Sequence, residues 1–375
     1  GSAFNMNLPA GAAGAIVSVV DYTNTFANNA LTVVPDGSDK IGGLNANAVL
    51  STNGQSVTLV FVDSTEGWIT VNDSSENIVQ NPNLVATGGC VSICGNCKIH
   101  TFTGPGSFAV SNISTTAANN TVSYLVIGGG GGSGNNPGGY SGGGGAGGFR
   151  ELSSPTAPYT ASPLDGYPNA PNRVTVTVTS FPIQVGGGGP GNVVGTPSTF
   201  STIASAGGGT GALICVPAPE KPATAGGSGG GGNFCQTAAG AGNTPPTSPS
   251  QGNPGGTGLN TPPAFGSGGG GGASAAGQNG SSSKGGNGGA GIATSITGSA
   301  VTRAGGGGGY AVNSGINGGT GGPGGGGDGY GPAGPPGTGP GSQGTDNTGG
   351  GAGGAASNTT NNGGSGIVVI RYKFQ

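Results

Sequence analysis

The sequence predicts an all-β and irregular fold with essentially no α-helix. Glycine supplies 93 of the 375 residues, and most of these glycines lie in short runs between residues 128 and 366. Apolar, β-branched segments at 122–127 and 367–372 flank that stretch, and helical patterning is almost absent. We therefore predict three parts: a small β-rich N-terminal module (1–87), a Cys-bearing β linker or hairpin (88–127), and a bundle, or sandwich, of polyglycine II helices (128–375) closed by a strand at 367–372.

Two simpler explanations of the glycine-rich stretch are a flexible spacer and a collagen-like helix. A spacer requires neither recurring runs of similar length nor a strand at each end. Collagen requires glycine at every third position, whereas runs such as 305–309 are glycine throughout. Aromatic residues also recur at the ends of the runs. A polyglycine II bundle accounts for all of these observations.

Polyglycine II is a left-handed helix with a rise of roughly 3.1 Å per residue and no internal hydrogen bonds. Because glycine lacks a Cβ, neighbouring helices can approach until N–H and C=O groups bond between them. Side chains are excluded from the packed faces, which explains why the runs consist of glycine, alanine and serine. Ordering glycine costs entropy. We therefore expect a cooperative bundle that needs all its runs and whose loops collect at two opposite ends.

The N-terminal module is predicted to contain short strands separated by turn signals such as Pro35-Asp-Gly37. The strand-like segments are 15–21, 30–34, 48–51, 56–63 and 68–71. Trp68 is predicted to fill the small core, and a ligand contact is the alternative. A module of this size buries little surface alone. We therefore expect it to oligomerise, as a homotrimer of the kind common in fibrous β proteins.

The linker contains the motif Cys90-Val-Ser-Ile-Cys94-Gly-Asn-Cys97, followed by His100, the one histidine of the chain. The CxxxCxxC spacing is that of radical S-adenosylmethionine enzymes, and the four residues are also candidate metal ligands for zinc or iron. The cluster enzymes need a β/α barrel, for which this chain has no helices. We favour a turn that precedes a strand at 98–102, with a local disulfide or free thiols, and an exposed or packed His100. No cofactor is predicted.

Three further local features give expectations. Gly104-Pro-Gly106 lies between Phe102 and Phe108 and predicts a hairpin in which the two rings pack together. Cys215 and Cys235 could form a disulfide if their loops emerge at the same end of the bundle, although synthesis in a reducing cytosol argues against assuming one. Acidic residues are scarce in the glycine-rich stretch, and the pair Arg150-Glu151 is expected at an exposed loop end.

The charge pattern argues against several classes of function. Only 6% of residues are charged and the net charge is −3, which does not favour a nucleic-acid partner or an electrostatic membrane anchor. No apolar run approaches the roughly 18 residues needed for membrane insertion. Matches to phosphate-binding and nucleophile motifs follow from the abundance of glycine alone. We therefore predict that the protein is not an enzyme.

Ordered motifs in the chain resemble those of tailed bacteriophages, particularly marine ones. Residues 19–68, including Leu50-Ser-Thr-Asn-Gly-Gln-Ser-Val57, resemble a module of phage structural and tail-fibre proteins. The remaining motifs resemble the glycine-rich domain often found beside it; they lie at 98–110, 124–130, 142–151, 197–203, 296–303 and 366–372. The combination is similar to tail-fibre tip adhesins that carry a polyglycine II sandwich.

This resemblance implies a receptor-binding protein in the virion, at an extracellular tail-fibre tip, that is made in the host cytoplasm. Its partners would be a bacterial surface receptor, either an outer-membrane protein or a surface glycan, and other phage fibre or tail proteins. In such adhesins the loops at the distal end of the bundle contact the host. If the runs alternate in direction, the distal loops are 133–141, 212–225, 257–265, 310–317 and 355–362.

The distal loops carry aromatic, apolar and amide residues, which give adaptable binding surfaces. The candidate receptor-binding residues are Asn135, Asn136, Tyr140, Leu213, Ile214, Leu259, Phe265, Tyr310, Val312, Ile316, Asn358 and Asn361. For each aromatic residue the alternative role is to cap the open end of the bundle. For the whole protein, one alternative is a structural virion or filament subunit that uses the bundle as a rigid spacer or assembly surface. Another is an extracellular ice- or glycan-binding protein, although the sequence lacks the regular threonine arrays that favour ice binding.

Overall fold

The computed structural model describes residues 3–72, 83–134, 140–213, 221–312, 316–332, 341–356 and 359–375. The chain divides into two compact units, Gly1–Leu84 with Ser114–Thr116, and Val85–Ile113 with Ala117–Gln375. The described residues form strands, irregular segments and two short 3₁₀ turns, Ala117–Asn120 and Ala170–Asn172. This confirms the predicted all-β and irregular fold. No helix in the described part of the chain has the length and apolar character needed to cross a membrane.

The N-terminal unit contains two three-stranded sheets. Its strands are β1 (Phe4–Asn7), β2 (Ile16–Val20), β3 (Leu31–Val34), β4 (Ala48–Leu50), β5 (Ser56–Asp63) and β6 (Gly67–Asn72). One sheet has the order β1-β3-β4 and the other β2-β5-β6. The five predicted strands are present within a residue or two. The strand β1, which pairs in parallel with β3, was not predicted.

Trp68 fills the core of this unit, as the sequence predicts. Its side chain is fully buried, and its ring packs edge-on against Phe61 with 5.5 Å between centroids. Gly67 precedes it with φ +73°, and a Cβ there would lie 2.0 Å from the Lys40 carbonyl oxygen. Only glycine allows the backbone to turn this closely. The turn therefore places the Trp68 indole in the core.

The second unit begins with the linker and contains the remaining strands. These are β7 (Val85–Thr87), β8 (Cys90–Cys94), β9 (Cys97–Phe102), β10 (Gly106–Asn112), β11 (Thr121–Ile127), β12 (Phe149–Leu152), β13 (Val174–Thr175), β14 (Ser180–Gln184), β15 (Ser198–Phe200), β16 (Ile203–Ser205), β17 (Ile292–Thr294), β18 (Val301–Arg303) and β19 (Ile367–Lys373). They form a five-stranded sheet β16-β15-β14-β10-β7, a sheet β12-β11-β19-β9-β8 in which β13 also pairs with β11, and the pair β17-β18.

The strands predicted at the two ends of the glycine-rich stretch lie side by side. β11 and β19 pair antiparallel, with Ser123 opposite Arg371 and Ile127 opposite Ile367. Both strands are almost wholly buried, which fits their continuous apolar sequences. The two ends of the glycine-rich stretch therefore meet in this sheet, to which β12 also contributes a strand beside β11.

The predicted hairpin around Gly104-Pro-Gly106 does not form. β9 pairs with β8 and β19, whereas β10 pairs with β7 and β14 in a different sheet. The residues between β9 and β10 therefore connect two sheets. The preference for a local pairing is outweighed by partners more than 70 residues away along the chain, which satisfy the same backbone groups and bury the apolar faces.

Between β11 and β19, backbone hydrogen bonds join the glycine-rich runs to one another with a three-residue period. The first run shows the pattern most fully: the N–H groups of residues 128 and 131 donate to carbonyls of 148 and 145, those of 129 and 132 to 196 and 193, and those of 130 and 133 to 364 and 361. Carbonyls of the same run accept from residues 189, 192, 208, 211 and 352 on other segments. A helix with three residues per turn presents successive groups to different neighbours in this way. The predicted polyglycine II bundle is therefore confirmed.

Side chains are excluded from the packed faces by direct contact with neighbouring backbone. A Cβ built at Gly130 would lie 1.9 Å from the Gly350 carbonyl oxygen, and one at Gly144 would lie 2.1 Å from the Gly131 oxygen. Separations this short are far inside van der Waals contact. Gly187 is different, because its nearest neighbour would be the Thr196 hydroxyl at 3.9 Å. Glycine is therefore required at positions that pack against neighbouring backbone, and not at every position of a run.

We predict that Gly130→Ala strongly destabilises the bundle, whereas the matched variant Gly187→Ala does not. The first places a methyl group against a carbonyl that cannot move without breaking other hydrogen bonds, at a cost of about 3 kcal/mol or more. The second fills open space and restricts the unfolded chain, so its effect should lie within about 1 kcal/mol of neutral. Thermal and denaturant unfolding of the full chain would measure both. Equal losses in the two variants would contradict this account of packing.

Candidate functional site

The runs of the bundle have similar lengths. The loops that connect them therefore lie at the two ends of the bundle. The end opposite β11 and β19 is here called the distal end. It is marked by the bonds from the Ser133 N–H to the Asn361 carbonyl (3.0 Å) and from the Ala355 N–H to the Ser141 hydroxyl (2.9 Å). The Leu259 N–H donates to the Gly266 carbonyl at the same end (2.9 Å). In their described residues, the loops predicted to be distal at 133–141, 257–265 and 355–362 therefore begin or end there.

Five aromatic rings form a continuous group at this end, which we call the distal aromatic cluster: Phe265, Phe234, Tyr140, Tyr310 and Tyr330. Consecutive ring centroids lie 5.7, 5.6, 5.2 and 5.3 Å apart in that order. The contacts of Tyr140 with its two neighbours are edge-to-face, and Tyr310 and Tyr330 are stacked. Each residue stands at one end of a glycine-rich run. The rings therefore meet because the runs that carry them end at a common level.

Two members of the cluster have a strained backbone. Tyr140 has φ +77° and Phe265 has φ +43°, and they are the aromatic members among the described non-glycine residues with positive φ. This region is unfavourable for bulky L-residues and costs of order 1–3 kcal/mol at each position. Both residues occupy the point where the chain enters a run. Strain at such positions persists only where the surrounding structure fixes it, and it is concentrated at binding and catalytic sites.

The cluster is partly open and electrically neutral. Tyr310 is buried at its centre, while Tyr140, Phe234, Phe265 and Tyr330 are half-buried. Burial, followed by the neighbouring phenols of Tyr140 and Tyr330, raises the pKa of Tyr310 above its usual value. The phenol therefore stays protonated at physiological pH. The rings offer apolar area and polarised edges, which suit binding of a surface.

Two buried polar groups close to Phe234 and Phe265 in the sequence have no hydrogen-bond partner among the described residues. They are the Asn233 amide nitrogen and the Ser267 hydroxyl. The Asn233 side-chain oxygen accepts the N–H groups of Cys235 (2.9 Å) and Gln236 (2.6 Å), which fixes the turn that carries Phe234. The Gly268 N–H donates to the Gly232 carbonyl, so Asn233 and Ser267 stand on hydrogen-bonded neighbouring runs.

Four other predicted site residues surround the cluster. Leu259 is half-buried next to the start of the Phe265 run, and the Val312 N–H donates to the Ala264 carbonyl (3.0 Å). Leu213 is buried and its N–H donates to the Lys221 carbonyl (2.9 Å). Ile316 is half-buried beside Asn317, whose carbonyl accepts the Gly285 N–H. Leu259, Val312 and Ile316 therefore add partly exposed apolar side chains near the ends of the runs.

Asn361 has a structural position. It is buried, its N–H donates to the Ser133 hydroxyl (3.2 Å), and its amide donates to the Gly353 carbonyl (2.9 Å). The first bond joins the start of the last run to the first run, and the second joins it to the run at 349–354, so the side chain is not presented to the surface. Asn135, Asn136, Ile214 and Asn358 lie outside the described residues, as does Cys215.

Sequence reasoning missed two members of the cluster, Phe234 and Tyr330. Both stand directly at the end of a run, which was the available signal, but the alternation of run directions could not be followed through the irregular segments between them. Cys235, next to Phe234, forms a disulfide, and its partner lies outside the described residues. The turn after this run is therefore covalently restrained.

The cysteines of the linker and His100 do not converge. Cys94 and Cys97 face each other across the β8–β9 turn, whereas Cys90 pairs with Thr101 at the far end of the two strands. His100 follows Cys97 by three residues on one strand, so the two side chains point to opposite faces of the sheet. The three thiols are free, and no group of three metal-binding side chains occurs among the described residues.

His100 packs in an aromatic core at the opposite end of the unit. Its Nδ1 lies 2.7 Å from the Gly88 carbonyl oxygen and its Nε2 lies 3.3 Å from the Tyr372 hydroxyl. The imidazole stacks on Tyr372 and meets Phe108 edge-on. Burial lowers the pKa of His100, the Gly88 bond opposes this shift, and Lys98 adds to it. Its role is therefore packing and hydrogen bonding.

Glu151 corrects another expectation, because it is buried and not at an exposed loop end. One carboxylate oxygen accepts the Ser162 N–H (3.0 Å) and the Ser162 hydroxyl, and the other accepts the Thr294 hydroxyl. No local pattern indicates this burial, because Thr294 lies 143 residues further along the chain. These bonds compensate for burial of the carboxylate and join β12 to β17.

A model of a family described as a glycine-rich domain matches residues 103–373. The match begins just before β10 and covers the bundle and its closing strand. A search of curated proteins finds none that matches this sequence.

We predict that the stability of the second unit falls as the pH drops below about 6.5, the pKa of an unperturbed histidine. Because the pKa of His100 is lower in the folded state, the unfolded chain binds the proton first. Each pH unit between the two pKa values should cost at most about 1.4 kcal/mol. Denaturant unfolding at pH 7.5 and 5.5 would measure the loss, with His100→Gln as a control that cannot titrate. A variant that kept the wild-type pH dependence would contradict this assignment.

Proposed function

Because the chain belongs to the glycine-rich domain family, we propose that its bundle supports a binding surface at the distal end. In this proposal the protein is a bacteriophage tail-fibre tip adhesin that recognises a receptor on the host cell through the distal loops. It acts in the virion, outside the cell, after synthesis in the host cytoplasm. Its role is binding and not catalysis.

The distal aromatic cluster is the observation that carries this proposal. It combines five rings, apolar neighbours and two strained aromatic residues at one end of a rigid scaffold. Rings lose little conformational entropy on binding and give large contact areas, while the surrounding small polar residues form hydrogen bonds. Binding sites on loops held by a rigid framework are common for this reason.

The receptor in this proposal is an outer-membrane protein or a surface glycan, and both offer neutral apolar and hydroxyl-rich surfaces. Other phage tail or fibre proteins would hold the N-terminal unit, which is proposed to form a homotrimer. Nucleic-acid binding and membrane insertion have no part in it. The low content of charged residues, 6% of the chain, supports an interaction that does not depend on electrostatic attraction.

The second candidate is a purely structural virion or filament subunit. It is favoured by the burial of Tyr310 and by the packing of the rings on one another, since such rings also close the open end of a bundle. The two functions differ in one respect. An adhesin needs the exposed faces of the cluster, whereas a spacer needs only its buried ones.

We predict that the double variant Tyr140→Asn/Phe265→Asn abolishes binding to host cells while it leaves the fold intact. Asparagine tolerates positive φ better than aromatic residues do. The replacements therefore remove the half-exposed rings and also relieve backbone strain. Binding of fluorescently labelled full chain to a panel of marine Gram-negative bacteria would be measured by flow cytometry, with a fall of about tenfold or more on the cells that bind wild type.

The control is Tyr167→Asn, which removes a half-exposed ring that packs on Arg173 away from the distal aromatic cluster. It should bind as wild type does. Exchange of the loops at 133–141 and 310–317 for unrelated sequences of equal length would extend the test. If binding to cells survived these exchanges with the bundle still folded, the adhesin proposal would be wrong and the structural role would be favoured.

A further inference from the structure

The N-terminal unit contains an apolar cleft between the edges of its two sheets. The cleft has a volume of about 440 Å³ and is open to solvent. Both strands beside it, β1 and β2, are the outermost strands of their sheets. Its lining includes Phe4, Met6, Val20, Tyr22, Phe26 and Leu31. An edge strand next to an apolar cleft is a position that proteins normally cover.

The most exposed large apolar side chains of this unit gather at the same place. Tyr22 is 92% exposed, Val20 64% and Phe4 54%, and all three line the cleft. Ile16, on the same face of β2 as Val20, is 64% exposed. Single exposed apolar residues are ordinary, but a contiguous patch beside a cleft marks an interaction site. Here the patch contains both a projecting ring and a recess.

The cleft has no free charged group that could bind a charged ligand. Its one ionisable group besides Tyr22 is Asp21, which is buried and whose carboxylate accepts the N–H groups of Phe26 (3.0 Å) and Gly54 (3.1 Å). The remaining polar lining consists of Asn5, Thr23 and Thr25, which are neutral. The carboxylate therefore holds the loop after β2 in place and is not free to bind a cation. The occupant should be apolar and uncharged.

We propose that this cleft is the self-association site of the chain, where the Tyr22 side chain of one copy enters the cleft of the next. This proposal rests on the trimeric stalk in the proposed function and names the surface that forms it. A second copy matches the site in charge, since the patch is neutral on both sides of such a contact. It also matches in shape, because the same patch supplies the ring that projects and the recess that receives it.

A head-to-tail contact of this kind builds a closed ring of copies when the rotation between neighbouring copies brings the last copy back to the first. Association would also bury further apolar surface of the small N-terminal unit, whose core cluster contains 11 buried apolar residues among those described. Burial of Phe4, Val20 and Tyr22 between copies would add apolar area at about 25 cal/mol per Å² before the cost of association.

The test is sedimentation velocity of the full chain with two single substitutions. Wild type should sediment as an oligomer at about 10 µM, and Tyr22→Ser should raise the dissociation constant by about tenfold or more, as for an aromatic anchor at an interface. Val20→Thr keeps the shape and strand preference of the side chain but adds a hydroxyl to the cleft, so it should weaken association as well. Val178→Thr alters a comparably exposed valine of the second unit and should have no effect.

The outcomes separate this inference from the adhesin proposal. Fluorescence of Trp68, the single tryptophan, would verify that the N-terminal unit of each variant is folded. A monomeric wild type at about 100 µM, or a folded Tyr22→Ser variant with wild-type association, would overturn the inference while leaving cell binding by the distal end untouched. A dissociated variant that still binds cells with reduced avidity would support both.

Discussion

The bundle depends on one interaction, the backbone hydrogen bond between neighbouring glycine-rich runs. A polyglycine II helix makes no such bond within itself, so an isolated run gains nothing by adopting this form. A single net bond contributes only about 1 kcal/mol, while each ordered glycine loses more conformational entropy than any other residue. Runs such as 128–133 donate to three neighbours and accept from others. Order therefore comes from the assembly as a whole, and the loss of one interior run would remove partners from several others.

Because of this dependence, two kinds of residue have different roles in the bundle. Within the runs, the absence of a side chain is the functional property, because carbonyl oxygens lie where a Cβ would stand. At the ends of the runs the packing constraint is absent, and bulky residues can follow immediately. The distal aromatic cluster is built at this boundary. Its rings are held by backbone that is rigid for reasons unrelated to the rings, and this rigidity can support the strained conformations of Tyr140 and Phe265.

The sequence predicts the features that arise from local physics. Exclusion of side chains from close-packed backbone is visible in the composition of each run, and β11 and β19 are visible as two apolar segments at the ends of one glycine-rich stretch. The predicted distal position of the loops follows from runs of similar length that alternate in direction. Tyr140, Phe265 and Tyr310 were identified on that basis, and the structure brings them together with Phe234 and Tyr330, which complete the group.

Features that depend on distant partners could not be predicted. The residues before β10 resemble a hairpin turn, yet β10 pairs with β14, which no local pattern indicates. Glu151 is buried because Thr294, far along the chain, supplies a hydroxyl to its carboxylate. Asn361 is of a residue type common in surface loops, but its amide donates to the Gly353 carbonyl of a neighbouring run. In each case the contact joins segments that come close together only when the protein folds.

The pairing of Ile127 with Ile367 has a wider consequence. The residues between them also supply β12 to the same sheet, and β14, β15 and β16 to the sheet that contains β10. The bundle and the two sheets therefore share strands. Recombination that exchanged the glycine-rich region would have to carry these strands with it, so the binding end and its anchoring sheets would be inherited together.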